Sequence, residues 1–420
     1  MLIHVYFWKR LVKDTTGPGR NRWLLTGLLA VGPALLIAAL NLPKLVGIET
    51  AAWVSWGGFI WMAVVLYLFL ALLVLEPVRL ALRSWVKGRP RETVSQVSGG
   101  PPEIPDDASG RPDVIDESTA DTASLNRRLF LARASALAAG AASVGIVGLG
   151  ASTALGPPDV LQVPIRLRRL DPAFNGFRVA VVSDIHLGPL LGRAHTDRIV
   201  RMINESEPDL VAIVGDLVDA SVAELGHAAA PLQDLVAREG SFFVTGNHEY
   251  VVDDTLEWLD ELERLGVHTL RNENTRIRRG AASFDLAGVN DVSGRRRSDP
   301  PDFDRALAGV STSGPTVLMA HQPVQVGEAA ARGVDLQLSG HTHGGQLWPF
   351  QYLVESMQPS LAGLSTVDDT QLYVSRGVGF WGPPVRIGAR PDITVLSLQA
   401  GVTVAGSATY SPPQSDVRRA

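Results

Sequence analysis

The sequence contains no cysteine. Disulfides and thiolate metal ligands are therefore excluded, and any metal held by this chain must be bound by His, Asp, Glu or Asn. Lysine is almost missing too: it occurs only at positions 9, 13, 44 and 87, and arginine supplies the remaining positive charge. Charge of either sign is sparse, with 19% charged against 46% hydrophobic residues and a formal net charge of −5. That balance gives no electrostatic case for a nucleic-acid partner. It is also apolar for a soluble enzyme, which directs attention to membrane segments. The length of 420 residues allows two or three units of ordinary domain size, and no internal repeat is visible.

Three long apolar stretches stand out. The first runs from Trp23 to about Leu42, the second from Ala51 to Leu75 without a single charge, and the third, rich in Ala and Gly, from Ala134 to Leu155. Each meets the roughly 20 residues needed to cross about 30 Å of hydrocarbon. Basic residues give the orientation. Lys9, Arg10, Lys13, Arg20 and Arg22 precede the first span, and Arg79, Arg83, Lys87, Arg89 and Arg91 follow the second. The short loop between the two spans holds only Lys44 and Glu49. Residues 1–87 thus read as a membrane hairpin, spans at about 23–42 and 51–75, with the N-terminus and the loop after span two in the cytoplasm. Trp53, Trp56 and Trp61 lie near the outer end of span two and Trp85 near its inner end, as interfacial anchors.

Residues 88–125, including the run from Ser98 to Asp107 and the acidic, Ser/Thr-rich stretch after it, bury too little apolar surface to fold and read as a disordered cytoplasmic linker. Asn126-Arg-Arg-Leu-Phe-Leu131 then resembles a twin-arginine export signal, so that 126–156 combines that signal with span three. The alternative is a pair of positive-inside arginines. Both readings give one topology: a multi-pass protein of the plasma membrane, with everything after span three extracytoplasmic. Residues 157–400 have the composition of a soluble domain, and 401–420 read as a small, polar, disordered tail.

In the soluble domain, 177–183, 209–215 and 241–245 read as short apolar strands, with helices around 194–206 and 227–238 between them. This β-α-β-α-β order predicts a parallel sheet with crossover helices. Further strands are expected near 283–289, 316–320, 334–339, 371–375 and 392–398. Ligand-type residues fall at the C-terminal ends of five of these: Asp184 and His186, Asp216, Asn247 with His248, His321, and His341 with His343. Sites in α/β sheets lie outside the carboxyl ends of strands, so this is a converging pattern. Gly215, Gly246 and Gly340 each precede such a residue, where a missing side chain permits a tight turn. Neutral imidazoles with hard oxygens suit Mn, Fe or Zn.

Taken in order, D-x-H at Asp184, G-D-x-x-D at Gly215, G-N-H-E at Gly246, the lone His321 and G-H-x-H at Gly340 resemble the calcineurin-like metallophosphoesterase superfamily. Gly344-Gly-Gln346 and Ser375-Arg-Gly-Val-Gly379 look like its bacterial membrane-associated branch. The resemblance covers roughly 175–398. It implies an α/β fold, a four-layer α/β/β/α sandwich preceded here by transmembrane helices. It also implies two metal ions: Asp184, His186 and His343 on the first, Asn247, His321 and His341 on the second, and Asp216 bridging both at a separation of about 3.5–4 Å. The implied activity is hydrolysis of a phosphate ester (phosphodiester, monoester or diphosphate) by metal-activated hydroxide. His248 would face the substrate, with Asp219 and Glu249 in supporting or capping roles.

Outside this pattern, His195 reads as a solvated residue at a helix start, and His227 and His268 match no ligand pattern. The Arg295–Arg297 run reads as a solvated loop, with an anionic headgroup as the alternative, and Arg376 as a phosphate-clamp candidate. Tethering beside a bilayer points to a phospholipid or lipid-linked phosphate as substrate. The competing reading is a non-catalytic, membrane-anchored binding or sensory module on the same scaffold.

Overall fold

The computed structural model describes residues 2–82, 117–252 and 255–401. The chain forms two compact units, Met1–Ala34 with Trp61–Ile146, and Leu35–Ile60 with Val147–Ala420. Among the described residues three helices are long and apolar enough to cross a membrane: α1 (Arg20–Asn41), α2 (Ile48–Ala81) and the stretch Leu125–Leu155 of α3 (Glu117–Leu155). Helix α3 begins inside the stretch read as linker. Residues 88–116 of that stretch and 402–420 of the tail lie outside the described residues.

In the first unit the apolar helices leave large side chains uncovered, among them Trp23, Leu28 and Leu137 at 78%, 68% and 74% exposure. Lipid, not water, is the solvent that favours such a surface. Phe7, Leu68, Leu72 and Ala139 form a small buried cluster. Arg10 pairs with Glu76 at 2.8 Å and Arg79 with Asp14 at 3.3 Å, tying the N-terminal segment to the C-terminal end of α2.

The second unit is an α/β/β/α sandwich. One sheet has the order β1-β12-β2-β3-β4-β5 and the other β10-β11-β9-β8-β7-β6. The first contains β1 (Asp159–Leu167), β2 (Phe177–Val182), β3 (Leu210–Val214), β4 (Ser241–Val244), β5 (Val267–Thr269) and β12 (Asp392–Ala400). The second contains β6 (Glu273–Arg279), β7 (Ala282–Gly288), β8 (Thr316–Met319), β9 (Leu336–Ser339), β10 (Gly363–Val367) and β11 (Thr370–Val374). Strands β2, β3 and β4 pair in parallel, as do β8 and β9.

Side-chain alternation divides the strands between two cores. Val179, Val181, Ala212 and Val214 face Phe284, Leu286, Val317 and Leu338 between the sheets. Ala180, Val182, Val211 and Ile213 point the other way, against Ile199 and Ile203 of α4 (Arg193–Glu205), Leu225 of α5 (Val222–Ala229) and Trp258 of α6 (Thr255–Arg264). On the far side of the second sheet Ala287, Val289 and Leu318 meet Phe303, Ala306 and Ala329.

The helix expected at 227–238 lies instead at Val222–Ala229, followed by a 3₁₀ turn over Ala230–Asp234. Pro231 is the cause: it has no N–H for a helical bond back to His227. The His227 carbonyl accepts from Arg193 Nη1 at 3.1 Å instead. Strands β1, β5, β6 and β10 lie outside the strands expected from the sequence. All four are edge strands; β1, β6 and β10 have weak apolar alternation, and β5 spans only Val267–Thr269. β1 carries Pro164, which an edge tolerates, and β6 buries only Ile277. Because β1 starts at Asp159, almost no chain separates the sheet from the end of α3 at Leu155.

That end is also pinned. Arg198 Nη1 donates to the carbonyls of Leu155 and Gly156 at 2.9 and 3.1 Å. A cation on the last carbonyls of a helix satisfies groups that have no partner within the helix. Ile48, at the start of α2, is buried in the core that contains Leu225 and Trp258.

Phe174, Phe177 and Phe284 close one end of the inter-sheet core, with edge-to-face ring centroids 5.1–5.5 Å apart. Phe284→Ala should cost about 3–5 kcal/mol, the usual range for emptying such a site. Denaturant unfolding of the detergent-solubilised chain would measure it, and a loss under about 1 kcal/mol would show that the cluster is not a keystone of the core.

Candidate metal centre

Both sheets deliver residues to one edge. The turns after β2, β3 and β4 carry Asp184 and His186, Asp216, and Asn247 with His248. Those after β8 and β9 carry His321, and His341 with His343. These turns are tight, and much of the tightness falls on the functional residues themselves. Asp184, His186, Asp216, His341 and His343 have φ of 53°, 50°, 52°, 71° and 50°. Left-handed backbone at a residue with a Cβ costs on the order of 1–3 kcal/mol and persists only where the surroundings over-determine it.

The surroundings do so here. The Asp184 N–H donates to the Gly215 carbonyl at 3.1 Å and the His186 N–H to the Asp216 carbonyl at 3.1 Å, lacing the first two turns together. The His341 N–H donates to the Asp184 carboxylate at 3.0 Å, which joins the sheets across the site. Glycine is needed where turns nearly touch. A Cβ at Gly246 would collide with Asp216 Oδ1, and one at Gly340 with Ser183 Oγ.

Among the described residues three overlapping clusters could hold metal: Asp184, His186 and His343; His186, Asp216 and His248; and Asp216, His321 and His341. His186 Nε2 and His343 Nε2 lie 3.1 Å apart, with Asp184 Oδ1 3.3 Å from the latter. Asp216 stands between the groups. Its Oδ2 is 3.2 Å from His321 Nε2 and 3.8 Å from His186 Nε2, while its Oδ1 accepts from the His248 N–H at 2.8 Å. Asn247 Oδ1 is buried with no hydrogen-bond donor. A carbonyl oxygen so placed fits a cation, and the imidazole and oxygen donors suit Mn, Fe or Zn.

Supporting bonds fix the rings. Asp219 Oδ1 accepts from His186 Nδ1 at 3.0 Å and from His248 Nδ1 at 2.7 Å. His321 Nδ1 donates to the Val214 carbonyl at 2.7 Å. These partners set ring orientation and the atom each His turns inward. Glu249 does the same for backbone, accepting from Gly246, Leu217 and Asp216 N–H at 2.6, 2.7 and 3.0 Å. Burial and the nearby Asp216 raise its carboxyl to about 7, against the pull of the Gly246 and Leu217 amides.

Charge is balanced within the cluster. Burial works against the Asp216 carboxylate, but His321, then His248 and His186, hold it well below the usual range. Burial likewise disfavours a charged His248, yet Asp219, Asp216 and Glu249 outweigh it and raise it to about 9. His248, Asn247 and His341 are the partly exposed members; Asp184, His186, Asp216, His321 and His343 are buried. The opening therefore lies on the His248 side, where Trp381 stands with its ring 6.0 Å from the imidazole.

A family model described as Calcineurin-like phosphoesterase matches residues 177–345. An uncharacterized metallophosphoesterase of Bacillus subtilis is 30% identical over 286 residues, 66% of this chain and 98% of that protein. This chain belongs to the calcineurin-like phosphoesterases. Animal relatives are similar as well. A transmembrane protein with metallophosphoesterase domain from Bos taurus is 42% identical over 66% of this chain and 65% of its own length. Its Danio rerio counterpart is 41% identical over 60% of this chain and 59% of its own. The chain thus spans about three fifths to two thirds of these animal relatives, and its likeness is not confined to a bacterial branch.

Not every residue considered for this phosphoesterase domain joins the cluster. His195 is not solvated but buried at 7% exposure, within α4. His227 and His268 are exposed, and Arg295–Arg297 form an exposed 3₁₀ turn. Arg376 Nη1 faces Asp392 Oδ2 at 3.5 Å, so the acid at the start of β12 engages it. One residue had no motif to reveal it. Arg386, 1% exposed, donates to His343 Nδ1 at 3.1 Å and to the carbonyls of Arg376, Gly379 and His343 at 2.9, 2.6 and 3.2 Å. Burial lowers its guanidinium to about 10. It staples the loop after β11 to the His343 turn, a role visible only once the loops are folded together.

His195 yields a pH prediction. Burial, then Arg198 and Arg386, lower it to about 3, whereas an unfolded His titrates near 6.5. Between those values the unfolded chain takes up a proton and the folded one does not, so stability falls as pH falls below about 6.5. His195→Gln should flatten this decline, seen as a smaller drop in Tm between pH 7.5 and 5.5. Equal drops in both proteins would remove His195 as the cause.

Proposed function

We propose that this chain is a membrane-anchored, binuclear-metal-dependent phosphoesterase acting on phosphodiester, monoester or diphosphate bonds. The observation that carries this reading is Asp216, a buried carboxylate shared between two histidine groups, beside an Asn247 oxygen with no donor. In this reading Asp184, His186 and His343 hold one ion, Asn247, His321 and His341 the other, and Asp216 both. Bound there, two ions of Mn, Fe or Zn supply Lewis acidity toward phosphate oxygens and lower the pKa of water.

The remaining chemistry belongs to the chain. The His248 imidazole stands beside the Asp219 carboxylate, a contact that favours its protonated form. Its Nδ1 is committed to Asp219 at 2.7 Å, which leaves the Nε2–H to donate to the leaving oxygen. Asp219 positions both His248 and His186. No side chain is required as nucleophile.

The basic residues flanking α1 and α2 support an arrangement with the N-terminus in the cytoplasm and the phosphoesterase domain outside the plasma membrane. Burial of Ile48 in that domain's core supports it, since the loop between the first two spans then shares a side with the domain. Arg127-Arg128 would serve either as a twin-arginine export signal or as the positive-inside charge of span three. External protease on intact cells should degrade the domain; protection until lysis would reverse the topology.

The metal-loaded full chain in detergent should hydrolyse bis(4-nitrophenyl) phosphate or 4-nitrophenyl phosphate, with two metals per chain by elemental analysis. Asp216→Ala should remove at least one metal and reduce kcat/KM by about 10³ or more, as expected for disrupting both halves of the site. Fewer than one ion per chain in the natural protein, with no turnover under any of Mn, Fe or Zn, would favour a binding or sensory module instead.

A further inference from the structure

The segment from Leu347 to Met357 follows directly on the G-H-x-H turn and is unusually apolar for a loop at the surface. Trp348, Phe350, Tyr352, Leu353 and Met357 are 46–68% exposed, and Trp381, on the neighbouring loop, is 57% exposed. The two loops are stitched into one surface. Gln346 Nε2 donates to the carbonyls of Trp381 and Pro383 at 3.0 and 3.1 Å, and its Oε1 accepts from the Trp381 N–H at 3.1 Å. The Trp348 N–H donates to the Ile387 carbonyl at 3.0 Å. Isolated exposed apolar residues need no explanation, but contiguous aromatic ones mark a contact surface.

What covers this surface is indicated by its attachment. The Arg386 N–H donates to the Gly150 carbonyl at 2.9 Å, and a Cβ at Gly150 would lie 2.7 Å from Ile387 Cδ1. Ala154 packs with Leu191 and Phe380 in one buried cluster. Gly150 lies five residues before the end of α3 at Leu155, about 8 Å along the axis. Loop 380–388 is therefore clamped to the last turns of an apolar span, at the depth where hydrocarbon meets headgroups. Exposed Leu149, at 70%, continues the apolar surface down the helix. Trp and Tyr are enriched in that layer, and Phe and Leu insert into it from interfacial segments. The patch has no basic residue: 347–357 carry only Glu355 and 380–385 no charge, so attraction to anionic lipid is not the driving force.

We propose that Trp348, Phe350, Tyr352, Leu353, Met357 and Trp381 form a membrane-inserting rim that seats the metal centre against the surface of the bilayer. The ring of Trp381, 6.0 Å from that of His248, places the rim at the mouth of the site. Substrates then come from the membrane: phosphate esters of lipid headgroups meet the opening without leaving the bilayer. This last step rests on the phosphoesterase reading; the docking itself does not.

The absence of cysteine makes the test direct. Tyr352→Cys and Val236→Cys chains, each spin-labelled, are placed in neutral phosphatidylcholine nanodiscs. Val236, 68% exposed before β4, lies at the sheet edge opposite the site and serves as the aqueous reference. At Tyr352 the label should relax with lipid-soluble oxygen and be shielded from a water-soluble nickel chelate, with the reverse at Val236, independent of salt. Adding Phe350→Asp and Leu353→Asp should return the Tyr352 label to water. In the same discs, hydrolysis of a phosphatidyl ester relative to bis(4-nitrophenyl) phosphate should drop at least roughly tenfold in that variant, reflecting two apolar side chains withdrawn from the interface. Equal nickel access at both positions overturns the proposal. So does shielding from oxygen and nickel alike, which would mean that a second copy or another protein covers the patch. If the natural chain hydrolyses neither substrate, the phosphoesterase reading fails while the label depth still decides the docking.

Discussion

Asp216 is 2% exposed, and a carboxylate in that position has lost most of its water. Such a charge persists only if the protein surrounds it with compensating charge and donors. Here the compensation comes from imidazoles at 3.2 and 3.8 Å and from the His248 amide at 2.8 Å. Each of those groups is delivered by a different turn, so the buried charge makes the relative placement of four turns from two sheets a condition of stability. Metal ions at the same place would answer the same requirement more strongly, because the donors already converge there.

The left-handed residues are a consequence of that crowding. A strand that ends at Val182 and must present both Asp184 and His186 to one point has no relaxed path between them, and the same holds for His341 and His343 after Ser339. The cost is met by cross-links between turns: Glu249 across three amides, Asp184 to His341, and Arg386 across the loop after β11. The site is thus held by groups that touch no substrate, and the absent side chains of Gly246 and Gly340 matter as much as the ligating ones.

The same loops carry the attachment to the end of α3. Arg386, whose side chain braces the His343 turn, donates from its backbone to Gly150 of α3. Arg198 caps the same helix. With no flexible leash between span and sheet, the opening of the site has a fixed relation to the last turns of that helix. The exposed aromatic loop beside Trp381 is thereby held next to the end of an apolar helix.

The amino-acid order by itself determined the local facts. Apolar length marked three helices long and apolar enough to cross a membrane, short β-branched runs marked β2, β3, β4 and β8, and their C-terminal turns carried the Asp, Asn and His residues now found together. Those signals are legible because they depend on neighbours in sequence: hydropathy over a window, alternation along a strand, glycine before a tight turn. Pro231 is a local signal of the same kind, since without an N–H it ends the helix at Ala229, short of the expected 238. Edge strands such as β1 and β6 escaped because a strand paired on one side needs little apolar pattern. Burial of His195, engagement of Arg376 by Asp392, the staple made by Arg386 and the clamp on Gly150 were decided by tertiary structure alone. Each joins residues from distant parts of the chain, and no local rule relates a side chain to a carbonyl that arrives beside it only after both sheets have closed on their common core.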